Sequence, residues 1–198
     1  MLTVTSRPCQ LGTGINTRCE MHGDESVPAC DIPIVGITLD AEELGALLAD
    51  PYAHRALFTK ARGHDEPMFP QLEPFELTDK IEGASAVITL SSTGEGATIH
   101  LDDVKLKGLT LKPMSGGLTL LSLKIQASGE DMASQVGELV AYLDRSVQIE
   151  IHGGERVKAK DKAQAELPIN TFGEGEEPEG KKRRGRKPKN GATLPATH

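Results

Sequence analysis

The stretch from Ala97 to Ile151 constrains the fold most, because two long strand patterns, a tight turn, an amphipathic helix and a closing strand follow one another without interruption. In the first pattern Ile99 and Leu101 share a face. The doublet Asp102-Asp103 then shifts the phase to Val104 and Leu106, and Lys107-Gly108 shifts it back to Leu109 and Leu111. Side chains alternate along a strand with period two, so each one-residue slip predicts an extra residue, a β-bulge. After the turn Ser115-Gly116-Gly117, the run Leu118, Leu120, Leu121, Leu123, Ile125 contains a one-residue shift of its own, as expected of a strand paired with a bent partner. The whole reads as a curved antiparallel hairpin.

The flanking chain supplies further elements. Ser128 is placed to cap a helix with Asp131 at its third position, and Met132, Val136, Leu139, Val140 and Leu143 recur at helical spacing. Val147, Ile149 and Ile151 alternate as a final strand, and Ile81 to Leu90 as an earlier one. Asp40 with Glu43 predicts a capping box, Leu39 can staple against Leu44, and Leu44, Leu47 and Leu48 form the buried stripe of that helix. Asp50-Pro51 restarts the chain into a short second helix over Tyr52 to Thr59, which buries Leu57 and Phe58 and displays Arg55, Lys60 and Arg62. Gly63 to Pro74 reads as a surface loop. Thr17 to Met21 is a short strand, His22-Gly23-Asp24-Glu25 a turn, and Val27 to Leu39 a return strand whose Pro28 and Pro33 predict an edge position or a bulge. Residues 1–14 lack periodicity and read as a mobile arm, residues 15–152 as the folded domain, and residues 153–198 as a polar tail unable to bury enough apolar surface to order itself. The expected fold class is α+β, a bent and mostly antiparallel sheet, open or rolled into an incomplete barrel, with two or three helices.

Charge is distributed unevenly. Of the 22 Lys and Arg, seven lie between residues 181 and 189, and setting these aside leaves 15 against 29 Asp and Glu, a body near −14. An acidic body thus carries a basic tail. Aromatic residues make up only 3% of the chain and Trp is absent, which disfavours a platform that stacks single-stranded bases. Cys9, Cys19 and Cys30 lack the close spacing of zinc or redox motifs and read as reduced thiols. Without an 18-residue apolar run or a signal-peptide core, the expectation is a soluble protein of the cytoplasm with no membrane partner.

The sharpest functional signal is Lys181, Lys182, Arg183, Arg184, Arg186, Lys187 and Lys189. Clustered cations release counterions when they meet phosphates, giving salt-sensitive binding. Arg184-Gly185-Arg186 followed by Pro188 resembles an AT-hook, a minor-groove motif, although Lys187 separates Arg186 from the proline. A passive solubilising tail would use the same residues. The preceding acidic stretch Phe172 to Glu179 reads as a spacer, a shield for the basic cluster or a docking segment. A second candidate surface is Lys105, Lys107, Lys112 and Lys124, at polar positions of the hairpin, where lysine also occurs simply as a solvated face. His22, Asp24, Glu25 and Asp31 carry metal-ligand chemistry, yet a polar turn explains them equally. No P-loop, nucleophile elbow or zinc-protease motif is present, so the expectation is a protein without catalytic residues, metal or cofactor.

From Asn16-Thr17-Arg18-Cys19-Glu20-Met21-His22-Gly23-Asp24-Glu25 to Ala29-Cys30-Asp31-Ile32, around Gly116-Gly117, Leu123 and Gln126, and over Gln135 to Ile151, the chain resembles a group of small proteins of temperate bacteriophages and prophages. The resemblance implies a setting among early replication and recombination functions, without implying an activity or a set of site residues. The leading expectation is therefore a DNA-binding accessory protein that self-associates and works beside phage or host replication and recombination proteins, on single- or double-stranded DNA. The alternatives are a module that binds or inhibits a host factor and, last, a metal-dependent nuclease.

Overall fold

The computed structural model describes residues 2–61, 63–71 and 73–158. In chain order the elements are β1 (Leu2–Leu11), β2 (Asn16–His22), β3 (Glu25–Leu39), α1 (Ala41–Leu48), α2 (Ala53–Leu57), β4 (Phe58–Ala61), β5 (His64–Pro67), β6 (Phe75–Glu76), β7 (Lys80–Thr89), β8 (Thr98–Met114), β9 (Leu118–Ser128), α3 (Met132–Val140) and β10 (Ser146–Val157). The fold is α+β, and all the strand pairings are antiparallel.

The main sheet runs β1-β10-β7-β8-β9-β3-β2 and rolls back on itself where β1 also meets β3. That closure rests on two residue pairs, Gln10↔Val35 and Leu11↔Ile34, so the barrel is irregular. Alternate residues of its strands, among them Val4, Ile32, Ile34, Ile88, Leu106, Ile125 and Ile149, are fully buried and fill the interior. The core follows from the period-two pattern: each strand turns one apolar row inward and one polar row outward.

The hairpin β8–β9 bends where its pattern slips. Ala84 pairs with Val104 and Ala86 with Leu101, so Asp102-Asp103 holds an extra residue, and Asp103 has a left-handed φ of 50°. Between Lys107↔Lys124 and Thr110↔Ser122 β8 again holds one residue more than β9, with Gly108 at φ 58°. Both bulges expected from the sequence are present. The shift expected in β9 is absent. Thr119, Leu121, Leu123, Ile125 and Ala127 point inward in regular alternation, while Leu118 and Leu120 lie on the outer row.

Helix α1 starts as its cap dictates: Asp40 accepts from the N–H groups of Glu42 and Glu43 at 3.0 and 2.9 Å, and Glu43 accepts from the Asp40 N–H at 3.0 Å. Arg7 of β1 bridges both carboxylates, at 3.3 and 3.0 Å, and ties the cap to the sheet. Leu44 and Leu47 are buried beneath it.

Several expectations are corrected. The supposed mobile arm is β1, which pairs with β10 and buries Leu2, Val4, Cys9 and Leu11. Its apolar phase slips at a bulge between Val4 and Arg7, where Ser6 has φ 42°, and that slip hid the alternation. Strand β3 is an interior strand between β2 and β9, so of its two expected alternatives the edge position is overturned, while the bulge is present between Ile34 and Ile37. The loop after Gly63 begins with β5, paired to β4. Helix α2 is shorter than expected. Asp131, not Ser128, precedes α3, without a side-chain cap, and Val140 is exposed. The final strand continues beyond residue 152 to Val157. Of the tail expected over residues 153–198, residues 159–198 lie outside the described residues.

Candidate nucleic-acid interface

On β8, Lys105 and Lys107 lie two residues apart and so share a face. Lys112 lies five residues beyond Lys107, an odd spacing that would turn it inward in a regular strand. The bulge at Gly108 restores the phase and puts Lys112 on the same outer row, to which β9 adds Lys124. All four lysines are exposed. Lys107 stands directly opposite Lys124, Lys105 opposite Gln126 and Lys112 opposite Leu120.

Like charges facing each other across a strand pair are unfavourable. Among the described residues no ion pair holds either Lys107 or Lys124. Carboxylates of neighbouring strands bear on Lys105 from two sides and on Lys107 from one. Glu20 on the β2 side is held below the usual glutamate range first by its hydrogen bond from Arg18, against some desolvation, then by Gln126 and the charge of Lys105. Glu82 on the β7 side is held low chiefly by the hydrogen bond from Lys80. The outer face is thus charge-balanced at Lys105, partly offset by Glu82 at Lys107, and positive at Lys124. Next to Lys107, an open groove of 510 Å³ runs along Glu76, Leu77, Thr78, Asp79 and Lys80. The Asp79 carboxylate in it already accepts from Arg156.

The hairpin tip is fixed in place. The Gly116 N–H donates to the Asp65 carbonyl at 2.8 Å, the Ser115 hydroxyl donates to Glu66 at 2.7 Å, and His54 Nε2 lies 3.2 Å from the Gly117 carbonyl oxygen. Met114 and Leu118 stay exposed there. Lysines and apolar tip therefore form one outer strip on a rigid support.

The other sequence candidates are dispersed. Arg55 lies on α2 with its guanidinium 5.5 Å above the Tyr52 ring, Lys60 lies on β4, and Arg62 is outside the described residues. Lys181, Lys182, Arg183, Arg184, Arg186, Lys187 and Lys189 are likewise outside them. Glu25 pairs with His22 at the turn, whereas Asp31 pairs with Asn16 at the far end of the same hairpin and is bound to Arg18 at 2.8 Å. Those acids do not converge, and among the described residues no group of three metal-binding side chains forms. Sequence reasoning missed the network Arg18–Glu20–Gln126 beside Lys105. The alternation of Arg18 and Glu20 in one strand was its only trace, since Gln126 arrives from β9. No helix among the described residues is long and apolar enough to cross a membrane.

Comparison with protein-family models, curated proteins and solved structures gives no match.

Proposed function

We propose that this protein is a non-catalytic DNA-binding accessory of phage replication or recombination, which holds the phosphate backbone with its basic tail and with the outer face of β8–β9. The observation that carries the reading is Lys107 set opposite Lys124 on an exposed face, with neither lysine held in an ion pair among the described residues. Such a pair costs free energy in the free protein and is relieved by a bridging anion. The cluster Lys181 to Lys189 adds sequence-tolerant electrostatic affinity, and the 3% aromatic content argues for binding through phosphate more than through base stacking.

The test is titration of fluorescent DNA with the wild-type chain and with a variant carrying Gln at Lys105, Lys107, Lys112 and Lys124. Binding through the face predicts weaker affinity and a shallower salt dependence for the variant, by about one unit of slope for each phosphate no longer neutralised. Identical curves would remove the face from the mechanism.

The acidic body and the exposed Met114 and Leu118 favour a second reading, a module that binds a host protein. A stoichiometric partner retained from nuclease-treated lysate would support it, and loss of every partner with the DNA supports the first.

A further inference from the structure

Ring closure is partial, since β1 meets β3 only through Gln10 and Leu11, and among the described residues β2 is a seven-residue strand paired on one side along its whole length. Which backbone groups it exposes follows from Pro28, which stands opposite Cys19. Proline has no N–H, and the Pro28 carbonyl accepts from Gly129 at 3.0 Å, on the side away from β2. Cys19 and Pro28 are therefore a pair that exchanges no ladder bonds. By the alternation of antiparallel pairing, the N–H and C=O groups of Thr17, Cys19 and Met21 point to the open edge.

Open edges are normally blunted by proline, lysine or a bulge. The strand Asn16–His22 has none of these: its register with β3 is unbroken, and Arg18 is neutralised by Glu20 and Asp31. Met21 is 66% exposed, an apolar side chain left on the rim. The strand is also self-complementary. If it runs antiparallel to another copy about Cys19, Thr17 meets Met21, Cys19 meets Cys19 and Arg18 meets Glu20, an opposite-charge pair formed twice. In that register all three outward-facing residues face outward-facing residues, so each pair exchanges two backbone hydrogen bonds.

We propose that β2 is a self-association edge, on which the same strand of a second copy adds antiparallel about a two-fold axis at Cys19. The two sheets become continuous, with the Arg18–Glu20 pairs on their common outer face. This is independent of DNA binding, and it assigns a surface to the self-association that the sequence only suggests.

The full chain, nuclease-treated and reduced, is followed by sedimentation equilibrium. The expected mass is twice the 21.2 kDa of one chain. The Cys19→Pro variant removes an outward N–H and leaves the β2–β3 ladder intact, so it is expected to sediment as a folded monomer with unchanged circular dichroism. Independently, mild oxidation of the wild type is expected to trap a Cys19-linked dimer. Directly bonded strand partners have Cα atoms about 5.5 Å apart, inside the range a disulfide spans. Cys9 and Cys30 are buried and serve as internal controls, and Cys19→Ser abolishes the product. A wild type that stays monomeric at about 100 µM, far below the millimolar scale of negligible affinity, overturns the proposal. So does a dimer that Cys19→Pro leaves unchanged, or a dimer that yields no Cys19 cross-link.

Discussion

Thr119 is the one buried polar residue of the described core, and its hydroxyl has no hydrogen-bond partner there. An unsatisfied buried hydroxyl costs about 1–3 kcal/mol, so Thr119→Val is expected to raise stability by about 1 kcal/mol in urea unfolding, with the slope unchanged. A loss of stability would mean that the hydroxyl has a partner. Glu20 makes a second residue-scale test. Its carboxylate is stabilised first by Arg18 and further by Gln126, so its pKa in the folded chain lies below the ordinary value of 4.5. A depressed folded pKa contributes stability that is complete above the unfolded value and is lost as pH falls through the folded one. Unfolding measured between pH 5 and about 3 is expected to show a steeper loss for wild type than for Glu20→Gln, which cannot titrate. Equal slopes would contradict the ion pair.

At the scale of elements, the bulges of β8 decide both shape and charge placement. Gly108 sits at φ 58°, a conformation that costs a side-chain-bearing residue about 1–2 kcal/mol. Gly108→Val is therefore expected to lower the unfolding free energy by that amount, read as a lower urea midpoint, and to weaken DNA binding, because straightening the strand would turn Lys112 inward. Retained stability together with full binding would sever bulge from function. These bulges were legible in the sequence because each left a clean break in apolar alternation, and the cap of α1 was legible because Asp40 and Glu43 act within one turn. The same signal misled elsewhere. In β1 the slip at Ser6 fell beside Pro8 and looked like irregular chain. In β9 leucine at 118 and 120 outweighed Thr119, although burial along this strand turns on register with β3 and not on hydropathy. The lysine row could be read because strand polarity was visible. Its acidic neighbours Glu20 and Glu82 could not, since both are brought in by other strands.

At the scale of the molecule, a partly closed sheet carries a positive strip on a body that is otherwise acidic. Long-range repulsion from that body opposes a polyanion, so the proposed binding would be local, at Lys107–Lys124 and at the cluster 181–189. Low ionic strength strengthens attraction and repulsion alike, which makes the outcome there a direct reading of which one wins. The decisive measurement is fluorescence anisotropy of the full chain against single- and double-stranded DNA at about 20 mM salt and upward, where phosphate neutralisation dominates affinity. The account predicts saturable binding that weakens linearly on a log–log scale as salt rises. No association with either polynucleotide at the lowest salt would contradict it.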